Sequence, residues 1–456
     1  MKTFLEWLKP GVKVKRYITL QLVSIATLAY SVISLATRDI LTPKILIAYI
    51  SLITISLFLT VYSFLLAQRN VLKITLKNMA YNEKNVEIRR LLYTESTLKK
   101  GPKVVIIGGG RGLANVLSGL KEFTSNITTI VSTFGNEDLV TKLMDEKEML
   151  SPGDIRRSVI ALSSSEELME QVLSYKFQNG NMESHSVGNL MVAAVAEITG
   201  GFSPAVQKLA DIFRIKGKIL PVSLDEAKLC AGLENGEIVV GENNIKQRVL
   251  DAKSRIKQIF LKDGELTPAP GVISAINEAD IIVLGPGSLY TSVICNLLVN
   301  DMSKAIVQSK AKKVMIVNLM NEPGETAGFT LARHVNELER YLGKHVIDYV
   351  LANNGEITED MMYDFNQGAS TPVTVDLENI QNRTISVIEE DLVITAPNSI
   401  LHDNLRVAEI IVEIAKNKNT GSLNLLKKKN TKQGKSFKNK IINILKRNNK
   451  SKDKAQ

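Results

Sequence analysis

Cysteine is almost absent from this chain of 456 residues, which contains only two. Cys230 and Cys295 stand far apart in the sequence, and neither belongs to a CxxC pair or to any other metal-ligand spacing. The main domain is therefore expected in a reducing, cytosolic environment, and the sequence predicts no metal site.

Basic residues are depleted in the middle of the chain, although the whole chain carries a formal net charge of +10. Residues 1–100 hold 15 Lys/Arg against 5 Asp/Glu, and residues 416–456 hold 14 Lys/Arg against a single acidic residue. The segment between them, 101–415, has 28 basic and 41 acidic residues, a net charge of −13. Neutralising duplex phosphates requires a basic face, so this acidic body is not expected to bind nucleic acid.

Charge is absent from two N-terminal stretches, 17–36 and 45–67. Each stretch is long enough to cross a hydrocarbon core of about 30 Å. Residues 1–67 are therefore predicted to form a transmembrane hairpin that acts as an anchor, with a pair of buried core helices as the alternative. Neither stretch contains an ionisable residue, which leaves no transport path or proton relay. Lys and Arg favour the outer ends of the hairpin, which predicts a cell-membrane protein with both termini and the main domain in the cytoplasm.

Two charged segments lie on either side of the main domain. Residues 68–100 are mixed in charge and helix-prone, and they are predicted to form a stalk or linker. Residues 416–456 form a basic tail that contains one short amphipathic helix. Its apolar face is formed by Phe437, Ile441, Ile442 and Leu445. We predict that this helix contacts anionic lipid; RNA contact and a simple solvated tail are the alternatives.

The most informative motif is residues 103–113, which read Lys-Val-Val-Ile-Ile-Gly-Gly-Gly-Arg-Gly-Leu. A β-branched run, a glycine turn and a helix-periodic segment in this order aim backbone N–H groups at an anion, usually a phosphate. The glycine spacing does not meet the dinucleotide fingerprint. No lysine followed by Ser or Thr closes the loop, which excludes a nucleoside-triphosphate P-loop. The alternative is a glycine turn that only lets the helix pack closely on a sheet.

From 101 to 415 the chain alternates short apolar runs with helix-periodic segments. The predicted strands are 103–108, 128–134, 218–223, 280–285, 312–319, 346–352 and 372–376. The predicted helices are 112–122, 165–178, 187–199, 204–213, 330–342 and 403–416. This alternation is typical of an α/β domain with a mostly parallel sheet flanked by helices. Between 224 and 262 an Asn-Gly turn joins two short runs, which predicts a small β insertion.

Polar and glycine-rich turns fall at the ends of several predicted strands, at 285–292, 318–326 and 353–355. In an open parallel sheet the ligand crevice lies at the carboxyl ends of the strands, so these turns are expected to converge there. Their side chains, notably Ser288, Thr291 and Asn318, can hydrogen-bond phosphate, sugar or base.

Two further residues are candidates for ligand contact. Arg156 opens a predicted helix and offers phosphate a planar partner, with an ion pair to Asp154 as the alternative. His185 precedes another helix among small residues that let a ligand approach, with capping or packing as the alternative.

Taken together, these runs resemble the CofD-like superfamily, and closely its gluconeogenesis-factor or YvcK-type branch. The motifs that carry the resemblance are Gly-Gly-Gly-X-Gly-Leu at 108–113, Pro-Gly-Asp-Ile-Arg at 152–156, His-Ser-X-Gly-Asn-Leu at 185–190, Gly-Pro-Gly-Ser-Leu-Tyr-Thr-Ser at 285–292 and Pro-Gly-Glu-Thr at 323–326. The resemblance covers about 103–415 and implies a Rossmann-like fold.

The resemblance implies one of two activities. One branch is 2-phospho-L-lactate transferase, which moves a phospholactyl-type group from a guanylylated donor onto a deazaflavin precursor, with magnesium. The YvcK-type branch is associated with binding UDP-sugars, notably UDP-N-acetylglucosamine, with cell-wall morphogenesis and with growth on gluconeogenic carbon. Carried over to this sequence, the nucleotide-sugar contacts would be Gly109, Gly110, Gly112, His185, Asn189, Gly287, Ser288, Tyr290, Thr291 and Asn318.

The sequence departs from the family pattern after the second strand. Where the family typically has Asp-Asp-Gly-Gly-Ser-Ser-Gly-Arg, residues 135–142 read Gly-Asn-Glu-Asp-Leu-Val-Thr-Lys. Loss of the aspartate pair removes the obvious magnesium ligands and weakens the case for transferase chemistry. Arg111 stands where the family usually has a small hydroxyl residue, and it could supply a positive charge directly to a bound diphosphate.

The sequence therefore predicts a membrane-tethered protein that binds a nucleotide sugar without turning it over and regulates envelope growth. It requires no firm cofactor; magnesium enters only if transferase activity is retained. Possible partners are a second copy of the chain and envelope-synthesis proteins. A phospholactate-type transferase and a degenerate scaffold without a ligand are the alternatives.

Overall fold

The computed structural model of the protein describes residues 14–37, 43–79, 97–134, 153–164, 166–177, 186–225, 227–262, 265–366, 370–380, 384–396 and 399–417. The chain divides into two compact units, 1–96 and 97–456. The loop 135–142 and His185, both singled out in the sequence, lie outside the described residues, as does the tail helix.

The first unit contains the two predicted apolar helices, α1 (Val14–Ala36) and α2 (Pro43–Met79). Each includes an apolar window long enough to cross a membrane, Thr19–Ala36 and Pro43–Leu66. The helices pair through small polar residues: Thr60 donates a hydrogen bond of 2.9 Å to Ser24. The hydroxyl groups of Ser34 and Tyr49 are 2.8 Å apart.

Exposure in this hairpin is the reverse of that in a water-soluble helix pair. Ser31 and Ser63 are fully buried, whereas Phe58 is 68% exposed. Large apolar side chains outside and small hydroxyl residues between the helices are what a lipid environment favours. Within this unit the burial pattern therefore favours the anchor over a pair of buried core helices.

The described residues of the second unit form twelve strands. They are β1 (Val104–Gly108), β2 (Ile127–Val131), β3 (Lys218–Pro221), β4 (Lys228–Leu233), β5 (Ile238–Val240), β6 (Ile256–Lys262), β7 (Ile281–Leu284), β8 (Lys312–Ile316), β9 (Tyr349–Asn353), β10 (Ser386–Glu390), β11 (Val393–Ala396) and β12 (Ser399–His402). Seven of them form one sheet in the order β10-β9-β8-β7-β1-β2-β3, and every neighbouring pair in it is parallel.

Helices cover both faces of this sheet. The helices described in the second unit, including those that do not contact this sheet, are α3 (Gly110–Leu120), α4 (Gly153–Leu162), α5 (Glu166–Ser174), α6 (Val187–Thr199), α7 (Phe202–Ile212), α8 (Glu242–Asp251), α9 (Val272–Glu278), α10 (Cys295–Leu297), α11 (Met302–Gln308), α12 (Leu331–Leu342), α13 (Glu359–Asn366) and α14 (Asn404–Lys416). A π-helical turn, Leu289–Ile294, precedes α10, and a 3₁₀ turn, Leu377–Asn379, precedes β10. The predicted α/β architecture is confirmed.

The central strand β1 is buried on both faces, as its unbroken apolar run predicts. Val105 and Ile107 belong to the apolar cluster on one side of the sheet, and Val104 and Ile106 to the cluster on the other. This alternation follows from the two-residue period of a strand.

The strand order places a topological switch point beside β1. From β1 the chain moves outward through β2 to β3, then returns to β7 on the opposite side and continues to β10. Connections leaving β1 and β7 therefore run in opposite directions, which opens a crevice at their carboxyl ends. The glycine loop follows β1, and the turn at 285–288 follows β7.

Two peripheral elements differ from the sequence prediction or refine it. The predicted β insertion is present as an antiparallel sheet in the order β5-β4-β6, but it also contains a helix that was not predicted, α8. The predicted strand 372–376 is wrong: it forms only isolated bridges, and β10 takes the edge position next to β9. Pro372 lacks the N–H group that a ladder needs, which weakens this segment as a strand.

Candidate functional site

A cavity of about 320 Å³ opens at the switch point between β1 and β7. Its walls come from five stretches of chain: residues 109–112, 286–288, 318–322, 370 and 399–402. The structure thus brings together seven residues named from the sequence: Gly109, Gly110, Arg111, Gly112, Gly287, Ser288 and Asn318. The hairpin β11–β12, which supplies 399–402, was not predicted.

The glycines of the first loop serve two purposes. A Cβ at Gly109 would overlap the Asp154 carboxylate and lie 2.9 Å from the Ser292 hydroxyl, so packing requires glycine at this position. Gly110 differs, because its φ of +70° is left-handed and nothing lies within 4 Å of its Cβ position. Packing therefore explains the glycine at 109, whereas Gly110 leaves open space beside the cavity.

The N-terminus of α3 supplies the positive side of the cavity. The N–H of Gly110 donates to Asp154 Oδ1 at 2.9 Å. Those of Arg111 and Gly112 have no acceptor within the helix, because helical hydrogen bonding starts one turn later. The helix dipole adds partial positive charge at the same place. An anion in the cavity would therefore find two first-turn N–H groups beside it.

Arg111 is exposed at the mouth of this cavity. Among the described residues its guanidinium forms no hydrogen bond or ion pair that would hold it elsewhere. Arg111 can therefore reach an anionic ligand without first giving up a partner among those residues.

Arg156 and Asn189 lie away from the cavity walls. The Nη1 group of Arg156 donates to Ser186 Oγ at 2.5 Å and to Asn189 Oδ1 at 2.9 Å, which ties α4 to the start of α6. The Asp154 carboxylate forms its ion pair with Arg157, at 2.8 Å. A ligand role for Arg156 and Asn189 stays a prediction.

The turn after β7 is held by Asn318. The Asn318 side chain accepts a hydrogen bond from the Gly287 N–H at 3.2 Å and donates one to its carbonyl at 2.9 Å. Both hydrogen bonds fix the turn against the end of β8, so this amide shapes the cavity wall.

Tyr290 and Thr291 follow this turn but are buried behind the wall. Tyr290 packs edge-to-face on Phe329, with ring centroids 6.4 Å apart. Thr291 donates a hydrogen bond of 2.6 Å to Glu325. Their direct contact with a ligand stays a prediction, while their observed contacts support the cavity from inside the core.

Sequence reasoning missed an acidic cluster beside the cavity. Lys246 of α8 lies 3.4 Å from Glu242, 3.4 Å from Glu325 and 3.8 Å from Glu322. Its ammonium also donates to Ser288 Oγ at 3.2 Å. Glu322 and Glu325 stand in the predicted turn 318–326, but nothing local marks them as partners of a lysine about 75 residues earlier.

The charges in this cluster are strongly coupled. Burial raises the pKa of Glu322 to about 7, assisted by the neighbouring charge of Glu325 and opposed by that of Lys246. Burial alone would lower the pKa of Lys246, but the charges of Glu325, Glu322 and Glu242 together raise it above its ordinary value. Lys246 is therefore a permanent cation, whereas Glu322 changes charge near neutral pH.

His402 forms part of the cavity wall as a neutral group. Burial lowers its pKa to about 4, and its Nε2 lies 3.1 Å from the Val317 carbonyl oxygen. A carbonyl accepts only from a protonated nitrogen, so Nε2 carries the proton. His402 therefore adds no positive charge for a phosphate.

A second cavity, of about 220 Å³, adjoins the first and shares Asn318 and Leu319 with it. Its walls are mainly apolar and include Val317, Val373 and Val375. Asn354 supplies an exposed amide at its rim. The combination of an apolar slot and a few amides suits a flat heterocycle.

Comparison with known proteins identifies the family. The model for 2-phospho-L-lactate transferase CofD matches residues 104–393. The chain belongs to the CofD family. This CofD-family chain is 37% identical over 316 residues to the gluconeogenesis factor of Bacillus subtilis, covering 69% of this chain and 98% of that protein. The gluconeogenesis-factor branch expected from the motifs is confirmed.

Two further relatives define how much of the chain is shared. A crystal structure of a Bacillus halodurans protein superimposes with a TM-score of 0.64 at 35% identity, covering 69% of this chain and all of that one. A gluconeogenesis-factor relative from Clostridium acetobutylicum is 36% identical over 414 residues, covering 90% of this chain and 91% of its own length. A match of that length in a chain of 456 residues must extend into α2.

Magnesium, which the transferase branch implies, does not fit the part of this CofD-family chain that the structure describes. No group of three or more His, Cys, Asp or Glu side chains there could hold a metal ion. The three carboxylates near the cavity surround the ammonium of Lys246 instead.

Proposed function

We propose that this protein binds a nucleotide sugar of the UDP-N-acetylglucosamine type in the switch-point cavity. It acts as a sensor of this ligand and does not turn it over. The observation that carries this proposal is the cavity itself, where the α3 N-terminus and Arg111 meet at the crevice of a parallel sheet. A diphosphate beside Arg111 would gain a planar cation and two backbone donors without a metal ion. The adjoining apolar cavity offers a place for the base.

In this proposal the protein is tethered to the cell membrane by α1 and α2, with both termini and the second unit in the cytoplasm. The outward apolar side chains of the hairpin and the excess of Lys and Arg at its outer ends support this arrangement. The name of the relatives, gluconeogenesis factor, supports a regulatory role in gluconeogenic growth; a role in cell-wall morphogenesis rests on the family resemblance. Partners in envelope synthesis and a second copy of the chain are part of the same proposal.

Thermal unfolding of the full chain in detergent tests the binding proposal. We expect UDP-N-acetylglucosamine to raise the unfolding temperature of the wild type and of Arg255→Ala, a control whose exposed arginine lies outside the cavity lining. Arg111→Ala should lose this increase, because the diphosphate loses the exposed cation at the cavity mouth. An unchanged melting curve at millimolar UDP-sugar, with or without magnesium, would contradict the proposal and favour a scaffold without a ligand.

A transferase is the second candidate, because the matching family model is that of 2-phospho-L-lactate transferase. It predicts magnesium-dependent loss of a guanylylated donor with release of GMP when a deazaflavin acceptor is present. Absence of GMP release, together with stable binding of the UDP-sugar, would select the sensor over the enzyme.

A further inference from the structure

The switch-point cavity is lined by two chemically different groups. The α3 N-terminus and Arg111 attract anions. Glu322 lines the same cavity and belongs to the acidic cluster defined by Glu242, Glu322, Glu325 and Lys246, with three carboxylates for one ammonium. Phosphate oxygens would be repelled by these carboxylates, so a different part of the ligand must face Glu322.

Among the four residues of the cluster, Glu322 is the one that lines the cavity. The Glu325 side chain is fully enclosed, and its two oxygens accept hydrogen bonds from Thr291 Oγ1 and the Tyr290 N–H. The Glu322 side chain is 34% exposed and forms part of the cavity wall beside Ser288. Glu325 therefore has a structural role in the core, and Glu322 would contact a ligand in the cavity.

Glu322 is held in place by two neighbours. Ser288 donates to Glu322 Oε2 at 2.7 Å, and the Lys246 ammonium lies 3.8 Å from the same oxygen. Lys246 reaches this position because α8 packs directly on the turn that carries Glu322: a Cβ at Gly324 would lie 2.7 Å from the Lys246 carbonyl oxygen. The β insertion thus supplies a fixed cation behind the acidic wall.

We propose that Glu322 is a specificity residue that accepts hydrogen bonds from a vicinal diol of the ligand, and that Lys246 is its positioning residue. An ionised carboxylate with free acceptor capacity is suited to a pair of hydroxyl groups, as in the recognition of ribose. This inference rests on the proposed function, because it assigns a contact to the hydroxyl groups of the same ligand. The diol belongs either to the ribose or to the hexose.

Equilibrium binding to the full chain in detergent separates these sources. The probes are UDP-N-acetylglucosamine, UDP and 2′,3′-dideoxy-UDP, measured by calorimetry with wild type and with Glu322→Gln. We expect Glu322→Gln to weaken the binding of UDP-N-acetylglucosamine about tenfold to a hundredfold, which is the range for loss of a hydrogen bond to a charged group. If Glu322 recognises the ribose, the substitution also weakens the binding of UDP but not that of the dideoxy analogue. If Glu322 recognises the hexose, only the binding of the sugar nucleotide is weakened.

The role of Lys246 is tested by the pH profile of binding. The charge of Lys246 lowers the pKa of Glu322, so Lys246→Met should raise it further and leave Glu322 more protonated at pH 7. Affinity should therefore fall at pH 7 and recover as the pH rises, and the control Lys304→Met, an exposed lysine near Asp301, should keep the wild-type profile. A structural role for Lys246 would instead lower affinity equally at every pH.

The outcomes are distinct. If Glu322→Gln binds all three probes as tightly as the wild type does, the assignment of Glu322 is wrong while the proposed function stands. If the wild type binds none of the probes, both the assignment of Glu322 and the proposed function are wrong. A loss in Lys246→Met that does not depend on pH overturns the positioning role alone.

Discussion

Gly109 and Gly110 provide a direct test of how the glycine loop works. In Gly109→Ala the new methyl group would overlap the Asp154 carboxylate and crowd Ser292. Moving the carboxylate breaks its hydrogen bond to the Gly110 N–H, which now measures 2.9 Å. In Gly110→Ala the methyl group meets nothing within 4 Å, and only the left-handed φ of +70° opposes it.

These contacts set the expected magnitudes. Overpacking costs about 1–3 kcal/mol, and loss of a helix cap adds about 1 kcal/mol, so Gly109→Ala should lower the free energy of unfolding by roughly 2–4 kcal/mol. A left-handed alanine costs roughly 1–2 kcal/mol, which is the expectation for Gly110→Ala. Gly110→Ala should nevertheless weaken binding of UDP-N-acetylglucosamine, because its methyl group occupies open cavity space.

Urea denaturation of the full chain in detergent, followed by circular dichroism, measures both effects. Asp154→Ala provides the decisive background, because it removes the carboxylate that the Gly109 methyl group would meet. We expect Gly109→Ala to cost about 1 kcal/mol less in that background, a coupling typical of residues in contact. Equal costs with and without Asp154 would refute the packing role of Gly109.

Three further predictions follow from other parts of the structure. Thr291→Val should destabilise the chain by about 1–3 kcal/mol in the same urea assay, because the fully enclosed Glu325 loses a donor at 2.6 Å; an unchanged transition midpoint would contradict this. Glu322 binds its proton more tightly in the folded chain, with a pKa of about 7, than in the unfolded chain, so stability should fall as the pH rises through the interval from its ordinary value to 7. Glu322→Gln should flatten that part of the stability profile, and a profile identical to that of the wild type would exclude Glu322 as its source. Ser31→Leu should loosen the α1–α2 pair, detected as faster proteolysis in detergent, whereas Phe58→Leu on the outer face should have no effect.

Sequence patterns predicted the elements whose signals are local. The run from Val104 to Ile107 predicted β1, because a strand that is buried on both faces is apolar at every position and does not alternate with polar residues. Helix α6 begins and ends as predicted, since Ser186 caps its start and Gly200 adopts the left-handed conformation at its end. Helix α8 was missed, because only Ile245 and Val249 are buried in it and the rest of its sequence is polar.

The candidate site was predictable in part for the same reason. Turns at strand ends can be located from the sequence, and parallel topology brings them to one edge. The acidic cluster could not be predicted, since it depends on the approach of α8 to the turn around Gly324. The role of the β11–β12 hairpin as a cavity wall likewise depends on contacts with distant residues, such as the hydrogen bond of 2.6 Å that Asn115 donates to the His402 carbonyl oxygen. Tertiary contacts of this kind leave no period or motif in the sequence.

The cavity walls are spread along almost the whole second unit, from Gly109 to His402. During synthesis α1 and α2 are made before the second unit, and the cavity gains its last wall only once the chain extends to His402. Ligand binding is therefore impossible for any shorter intermediate, even one whose first strands have already formed. Occupancy of this cavity therefore requires the chain from Gly109 through His402, which is made after α1 and α2.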